Sequence, residues 1–167
     1  SFIFPFINKK KRFVSIQMHP ELEQLQDIVV PVYHKIAVAL DFSENDAKLI
    51  ASAIGQARNN TGFVLIHIVE SPTAILHGTE TDDYETLQDK ERLDFFTNQL
   101  KLKGFEATGI LGFRQRAKEI VRIVKSEKAD MLIVGAHGHT GLKDLIYGTT
   151  VEAVRHELKI PVLVVTL

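Results

Sequence analysis

Four short apolar runs punctuate the chain, at residues 35–40, 63–69, 131–135 and 162–166, a further strand pattern interrupted by Glu106 and Thr108 lies at 105–111, and most of the stretches between them repeat apolar residues at helical spacing. Apolar runs of this length predict strands buried on both faces, because a strand with one wet face would alternate. After the first run, Ala47, Ile50, Ala53, Ile54 and Ala57 recur at the three- and four-residue steps of a helix with one inward face. Ser43, with Asp46 three residues on, reads as a capping box that starts this helix. Asn59-Asn60-Thr61-Gly62 then turns the chain into the second strand. Residues 70–81 read as a polar loop, residues 82–103 as a helix stopped by Gly104, and residues 115–127 as a helix with Ala117, Ile120, Val121 and Val124 inward. A last helical pattern covers residues 151–158.

Strands and helices in alternation imply an α/β domain, with a parallel sheet covered by helices on both faces and joined by right-handed crossovers. Ligands of such sheets lie beyond the carboxyl ends of the strands, where strand order reverses. That edge carries Asp41, Ile68 and the stretch Val134-Gly135-Ala136-His137-Gly138-His139-Thr140-Gly141, followed by Gly148-Thr149-Thr150-Val151. A strand, a glycine loop and a helix in succession are the context a phosphate cradle requires. Gly135, Gly138 and Gly148 are free to take positive φ, letting amides converge on an anion, and the unpaired amides at the start of the last helix face the same place. A helix dipole supplies about 0.3–2 kcal/mol, whereas micromolar affinity needs about 8 kcal/mol, so burial of a base and several amide bonds must supply the rest.

The order Gly135, two residues, Gly138, nine residues, Gly148, Thr149 resembles the motif of the ATP-binding universal stress proteins: Gly, two residues, Gly, nine residues, Gly, then Ser or Thr. Lys35-Ile36-Ala37-Val38-Ala39-Leu40-Asp41-Phe42-Ser43, Val64-Leu65-Ile66-His67-Ile68, Ala129-Asp130-Met131-Leu132-Ile133-Val134-Gly135 and Pro161-Val162-Leu163-Val164-Val165 resemble that family too, so the resemblance covers residues 33–166. It implies a five-stranded parallel sheet in the order 3-2-1-4-5, Rossmann-like and of the adenine nucleotide alpha hydrolase type, with the first and fourth strands together at the reversal. The implied ligand is ATP, or ADP or AMP, with Mg²⁺. Residue by residue, Ala39 and Asp41 follow the first strand, Asp41 matching the carboxylate that contacts the ribose or assists a metal near the phosphates. Ile68 and Val134 match the apolar walls around adenine. Gly135, His137 and Gly138 match the loop at the phosphates, and Gly148, Thr149 and Thr150 the helix start that completes the cradle. Ala39 stands where Pro is common and Thr149 where Ser is common, and neither departure removes a group the site needs.

Plainer roles stand beside these. Asp41 is also placed to cap the helix start beside Ser43, Thr149 with Glu152 forms a Thr-x-x-Glu capping box, and Gly148 reads equally as a helix break. Ile68 and Val134 would be core residues in any fold of this class. His137 and His139 lie two apart with no third ligand at a recognisable spacing, which argues against a transition-metal site. His67, beside a buried strand end, reads as a hydrogen-bonded core histidine. Arg114 and Arg116 follow the third strand and are the arginines placed to reach the cradle.

The 167 residues, 45% hydrophobic and 25% charged, suit one soluble domain and are too few for two of full size. A net charge of -1 argues against a nucleic-acid surface, and the lack of cysteine excludes disulfides and thiolate metal sites. No segment is long and apolar enough to form a complete membrane-spanning helix. The sequence has no Gly-x-x-x-x-Gly-Lys-Ser/Thr loop, Gly-x-Gly-x-x-Gly fingerprint, Gly-x-Ser-x-Gly elbow or His-Glu-x-x-His pair. No residue beyond His137 reads as a base for an attacking water, so a nucleotide-binding regulatory module is favoured, with a weak ATPase or phosphotransfer enzyme of the stress response as the alternative.

Residues 1–32 fall outside the domain at 33–167 and read as a basic leader and linker. Lys9, Lys10, Lys11 and Arg12 follow the aromatic run Phe2-Ile3-Phe4-Pro5-Phe6-Ile7, as positive residues follow a membrane helix at its cytoplasmic exit. The chain begins with Ser, so a fragment of a longer membrane protein and a plain leader on a soluble cytoplasmic one are both open. Universal stress domains occur as cytoplasmic appendages of ion and metal transporters, including Nramp-like divalent-metal carriers and cation/proton antiporters, so the resemblance extends to a transporter regulatory domain at the cytoplasmic face of the inner membrane. Pro161 and the apolar residues 162–165 suit a strand at the sheet margin, and the resemblance implies antiparallel pairing of that strand across the twofold axis of a homodimer.

Overall fold

The computed structural model describes residues 24–69, 76, 84–113, 115–136 and 149–167. The chain divides into two units, Ser1–Pro31 and Val32–Leu167. In the first, Leu25–Asp27 form a single 3-10 turn, with the Ile28 amide donating to the Leu25 carbonyl at 3.2 Å. The second alternates β1 (Lys35–Leu40), α1 (Asp46–Gln56), β2 (Gly62–Ile68), α2 (Tyr84–Leu102), β3 (Glu106–Gly112), α3 (Arg116–Ser126), β4 (Met131–Ala136), α4 (Thr149–Glu157) and β5 (Val162–Thr166). Residues 1–23 of the expected leader and linker, the loop over residues 70–81 apart from Leu76, and His137, Gly138, His139 and Gly148 lie outside the described residues.

The five strands form one sheet in the order β3-β2-β1-β4-β5, and every neighbouring pair is parallel. This is the expected order, with β1 and β4 adjacent where the winding reverses. The inner strands β1, β2 and β4 are buried on both faces, which explains their apolar runs, whereas the edge strand β3 leaves Glu106, Thr108 and Gly109 exposed. Residues of one parity, including Ala37, Ile66, Leu132 and Val134, pack against α3 and α4 through Ile120, Val124, Val151 and Val154. Those of the other, including Ile36, Val38, Leu65 and Ile133, pack with Leu49 and Ala53 of α1 and Leu93 and Leu100 of α2.

At the amino edge of the sheet, the Asp130 carboxylate accepts the His34 amide at 2.8 Å and the Lys35 amide at 3.0 Å, fastening the start of β1 to the start of β4. After α2, Gly104 takes φ +89°, a left-handed conformation that suits glycine, and the Phe105 amide returns to the Leu100 carbonyl at 3.1 Å. Phe105 is thereby held out of the strand that the apolar pattern places it in, with its ring edge-on to Phe63 at 5.0 Å, and β3 starts one residue later at Glu106.

The first helix departs from its expected face and cap. Ala47 is exposed, and the inward positions are Asp46, Leu49 and Ala53, with Ile50 and Ile54 at their margin. Ser43 does not form the capping box: the helix begins at Asp46 after Asn45, and Ser43 Oγ accepts only the Asn45 amide, at 3.3 Å. The Asp46 carboxylate turns back toward the strand that precedes it.

Candidate functional site

Alternation along β1 directs Ala39 to the α3/α4 face, where it packs against the cluster containing Ile68 and Val134. Register places these three together: Ala39 lies opposite Ile66, Ile68 ends β2 opposite Gly112, and Val38 pairs with Ile133, the residue before Val134. Ile68 and Val134 are 6% and 4% exposed, so each presents one edge of an apolar wall at the carboxyl end of the sheet.

Asp41 leaves β1 at this edge, half-buried. Its Oδ1 accepts the Ser43 amide at 3.1 Å, which makes it a turn former; the helix N-cap position is Asn45. Asp46, 1% exposed, accepts the Asp41 amide at 3.3 Å through Oδ1 and the Phe42 amide at 2.9 Å through Oδ2. Burial pushes the Asp46 carboxyl up to about 6; the amide of Asp41 opposes the rise, and the neighbouring Asp41 charge and a hydrogen bond between the two carboxyls add to it. Phe42, between them, holds φ 59°, the left-handed region that a side chain with a Cβ disfavours.

The ring of Phe42 turns to the opposite face of the sheet and stacks on His67, with centroids 3.9 Å apart and planes 24° from parallel. His67 is the core histidine its position suggests: Nδ1 lies 3.0 Å from the Leu40 carbonyl oxygen and Nε2 3.2 Å from Asp89 Oδ2 on α2. The Arg92 guanidinium lies 5.8 Å from the Phe42 ring centroid, and Phe42, Ser43, Gln88, Arg92 and Phe95 line a cleft of about 450 Å³ there.

Gly135 does not take the positive φ open to it. It is a β4 residue paired with Val165. A Cβ at this position would lie 2.6 Å from Leu167 Cδ1 and 3.5 Å from Leu49 Cδ1, so the glycine makes room for the Leu167 side chain on the α1 face. Thr149 is the first described residue of α4, and Glu152 in its first turn lies with Oε1 3.0 Å from His156 Nε2 and 3.4 Å from Arg155 Nη2. Thr150 is partly buried and lines, with Gln115, Arg116, Lys118, Val121 and Glu157, a cleft of about 360 Å³ that runs along α4. His137, Gly138 and Gly148 lie outside the described residues, as does Arg114.

Asp46 was not among the residues that the motif marks. Its signal was a carboxylate three residues before Leu49, on the inward side of an apolar helix, where an acid needs a partner.

A profile of the universal stress protein family matches residues 32–166. The chain belongs to the universal stress protein family. Universal stress protein MJ0577 of Methanocaldococcus jannaschii is 34% identical over 80 residues, spanning 48% of this chain and 49% of that protein. Universal stress protein YxiE of Bacillus subtilis is 26% identical over 147 residues, covering 80% of this chain and 99% of that one. The solved structure of MJ0577 superposes with a TM-score of 0.68 at 26% identity, over 82% of this chain and 98% of that chain. A universal stress protein of Archaeoglobus fulgidus solved in complex with dAMP shares the fold, with a TM-score of 0.59 at 20% identity over 80% of this chain and 98% of that one. Among the described residues of this universal stress domain, no helix is long and apolar enough to cross a membrane, and no group of three or more His, Cys, Asp or Glu is arranged to hold a metal ion.

Proposed function

We propose that the domain binds an adenine nucleotide, ATP foremost, at the carboxyl edge between β1 and β4, and that occupancy acts as a signal. The observation that carries this is the convergence of Ala39, Ile68 and Val134 on one face of the sheet at the strand-order reversal, with Asp41 leaving β1 beside them. The dAMP complex of a structural relative supports the choice of ligand class. Ile68 and Val134 would wall the base and Asp41 would meet the ribose. The motif glycines Gly138 and Gly148, with His137, Thr149 and Thr150, would hold the phosphates, which Mg²⁺ would accompany in solution. Gly135 would serve this site through packing.

In the sequence, His137 alone reads as a base for an attacking water, which favours a regulatory domain over an ATPase. The basic cluster at Lys9, Lys10, Lys11 and Arg12 supports attachment to a transporter at the cytoplasmic face of a membrane. The partly exposed, apolar edge strand β5 supports a homodimer.

Isothermal titration with ATP, ADP and AMP, each with and without Mg²⁺, tests the central claim. Saturable heat at micromolar ligand is expected, and its loss in Gly138→Val with an unchanged circular dichroism spectrum. Absence of heat with all three nucleotides would reject the assignment.

A further inference from the structure

We propose that Asp46 is a positioning residue for the nucleotide site, acting through Asp41; this rests on the reading that Asp41 meets the ligand. The turn from β1 into α1 is short and is held from three directions. Asp46 accepts the amides of Asp41 and Phe42, Asp41 Oδ1 accepts the amide of Ser43, and the Phe42 ring is held on His67. Of these ties, only Asp46 bonds the backbone of Asp41 itself.

A carboxylate in the first turn of a helix ordinarily serves that helix's own free amides. Asp46 instead spends both oxygens on the preceding strand exit, while the N-cap position, Asn45, makes no side-chain cap. The result is a left-handed Phe42 at φ 59°, a conformation that persists only where its surroundings determine it. Asp46 is also 1% exposed, so it cannot itself be the group that reaches a ligand in the open edge. Its influence must pass through the backbone it holds, the amides of Asp41 and Phe42.

A double-mutant cycle and amide exchange test the assignment together. Asp46→Ala is expected to weaken ATP binding about tenfold, a loss of about 1.4 kcal/mol. In an Asp41→Ala background the same change should add nothing, because the residue through which Asp46 acts is gone. Asp46→Asn, which keeps an acceptor for the Phe42 amide, should recover most of the affinity and covers the case in which the alanine variant does not fold. Independent, additive losses at Asp41 and Asp46 would overturn the proposal, as would an Asp46→Asn variant that folds but binds ATP no better than Asp41→Ala. The ligand-free protein supplies a separate readout by nuclear magnetic resonance: the Ser43 amide, bonded to Asp41 and not to Asp46, should lose exchange protection when Asp46 is altered. Unchanged protection at Ser43 rejects positioning even where ATP binds. Lost protection in a protein that binds no nucleotide confirms the positioning of Asp41 and rejects only the ligand assigned above.

Discussion

Leu167 occupies the space that Gly135 leaves open, its Cδ1 2.6 Å from where a Cβ would stand. A Cβ on Gly135 would press only on the far end of the half-buried Leu167 side chain, which can give way. Gly135→Ala should therefore destabilise the fold by about 1 kcal/mol or less. Pairing it with Leu167→Ala should recover much of that loss. Urea unfolding of the two single variants and the double variant measures the coupling, and strictly additive losses would show that the crowding lies elsewhere.

Stability should depend on pH through Asp46. Its carboxyl is raised from 3.8 to about 6 in the folded protein, chiefly by burial, so the folded state prefers the protonated form. The associated contribution is present in full below pH about 4 and is lost as pH rises through about 6. Relative to Asp46→Asn, which has no proton to gain there, the natural protein should gain stability as pH is lowered from 7 toward 5. Thermal unfolding of both proteins across that range gives the comparison; parallel curves would contradict the shift.

Removing the His67 ring takes partners from the Leu40 carbonyl and from Asp89 on α2, together with the surface on which Phe42 stacks. His67→Ala should cost about 1–3 kcal/mol for the unsatisfied groups alone. His67→Phe should keep the stack but leave both polar groups unmet. Hydrogen exchange should then show amides of α2 near Asp89 opening in both variants, and protection equal to that of the natural protein in His67→Phe would assign the tie to stacking alone.

A dimer through β5 should be present in sedimentation velocity at tens of micromolar and should weaken in Val164→Lys, which sets a charge into the apolar edge strand. Monomer throughout that range in the unmodified protein would exclude it.

The sheet was legible because buried parallel strands are written as plain apolar runs, and β1, β2, β4 and β5 fall on those runs. Phe105 misled only because a ring that closes a helix end looks the same in sequence as a ring that starts a strand. The face of α1 was harder to see. Counting apolar residues admits Ala47, which is exposed, and omits Asp46, whose inward position is stabilised by amides that lie before the helix. Ala39, Ile68 and Val134 could be placed together because strand parity and strand order decide their face. The packing of Leu167 against Gly135 is a contact that local pattern does not encode.

The Asp130 clamp joins positions 95 apart in the chain, Lys35 and Asp130, whereas Leu40 and His67 meet across 27. Closing the longer loop costs about 1 kcal/mol more in chain entropy, and pairings of such sequence separation form slowly. The β1–β2 half of the sheet can therefore assemble while β4 is still unpaired, but the wall made by Ala39 and Val134 exists only after the distant segment has docked. A molecule that bound this wall would therefore draw only on chains in which β4 has docked on β1, and would shift the population toward them.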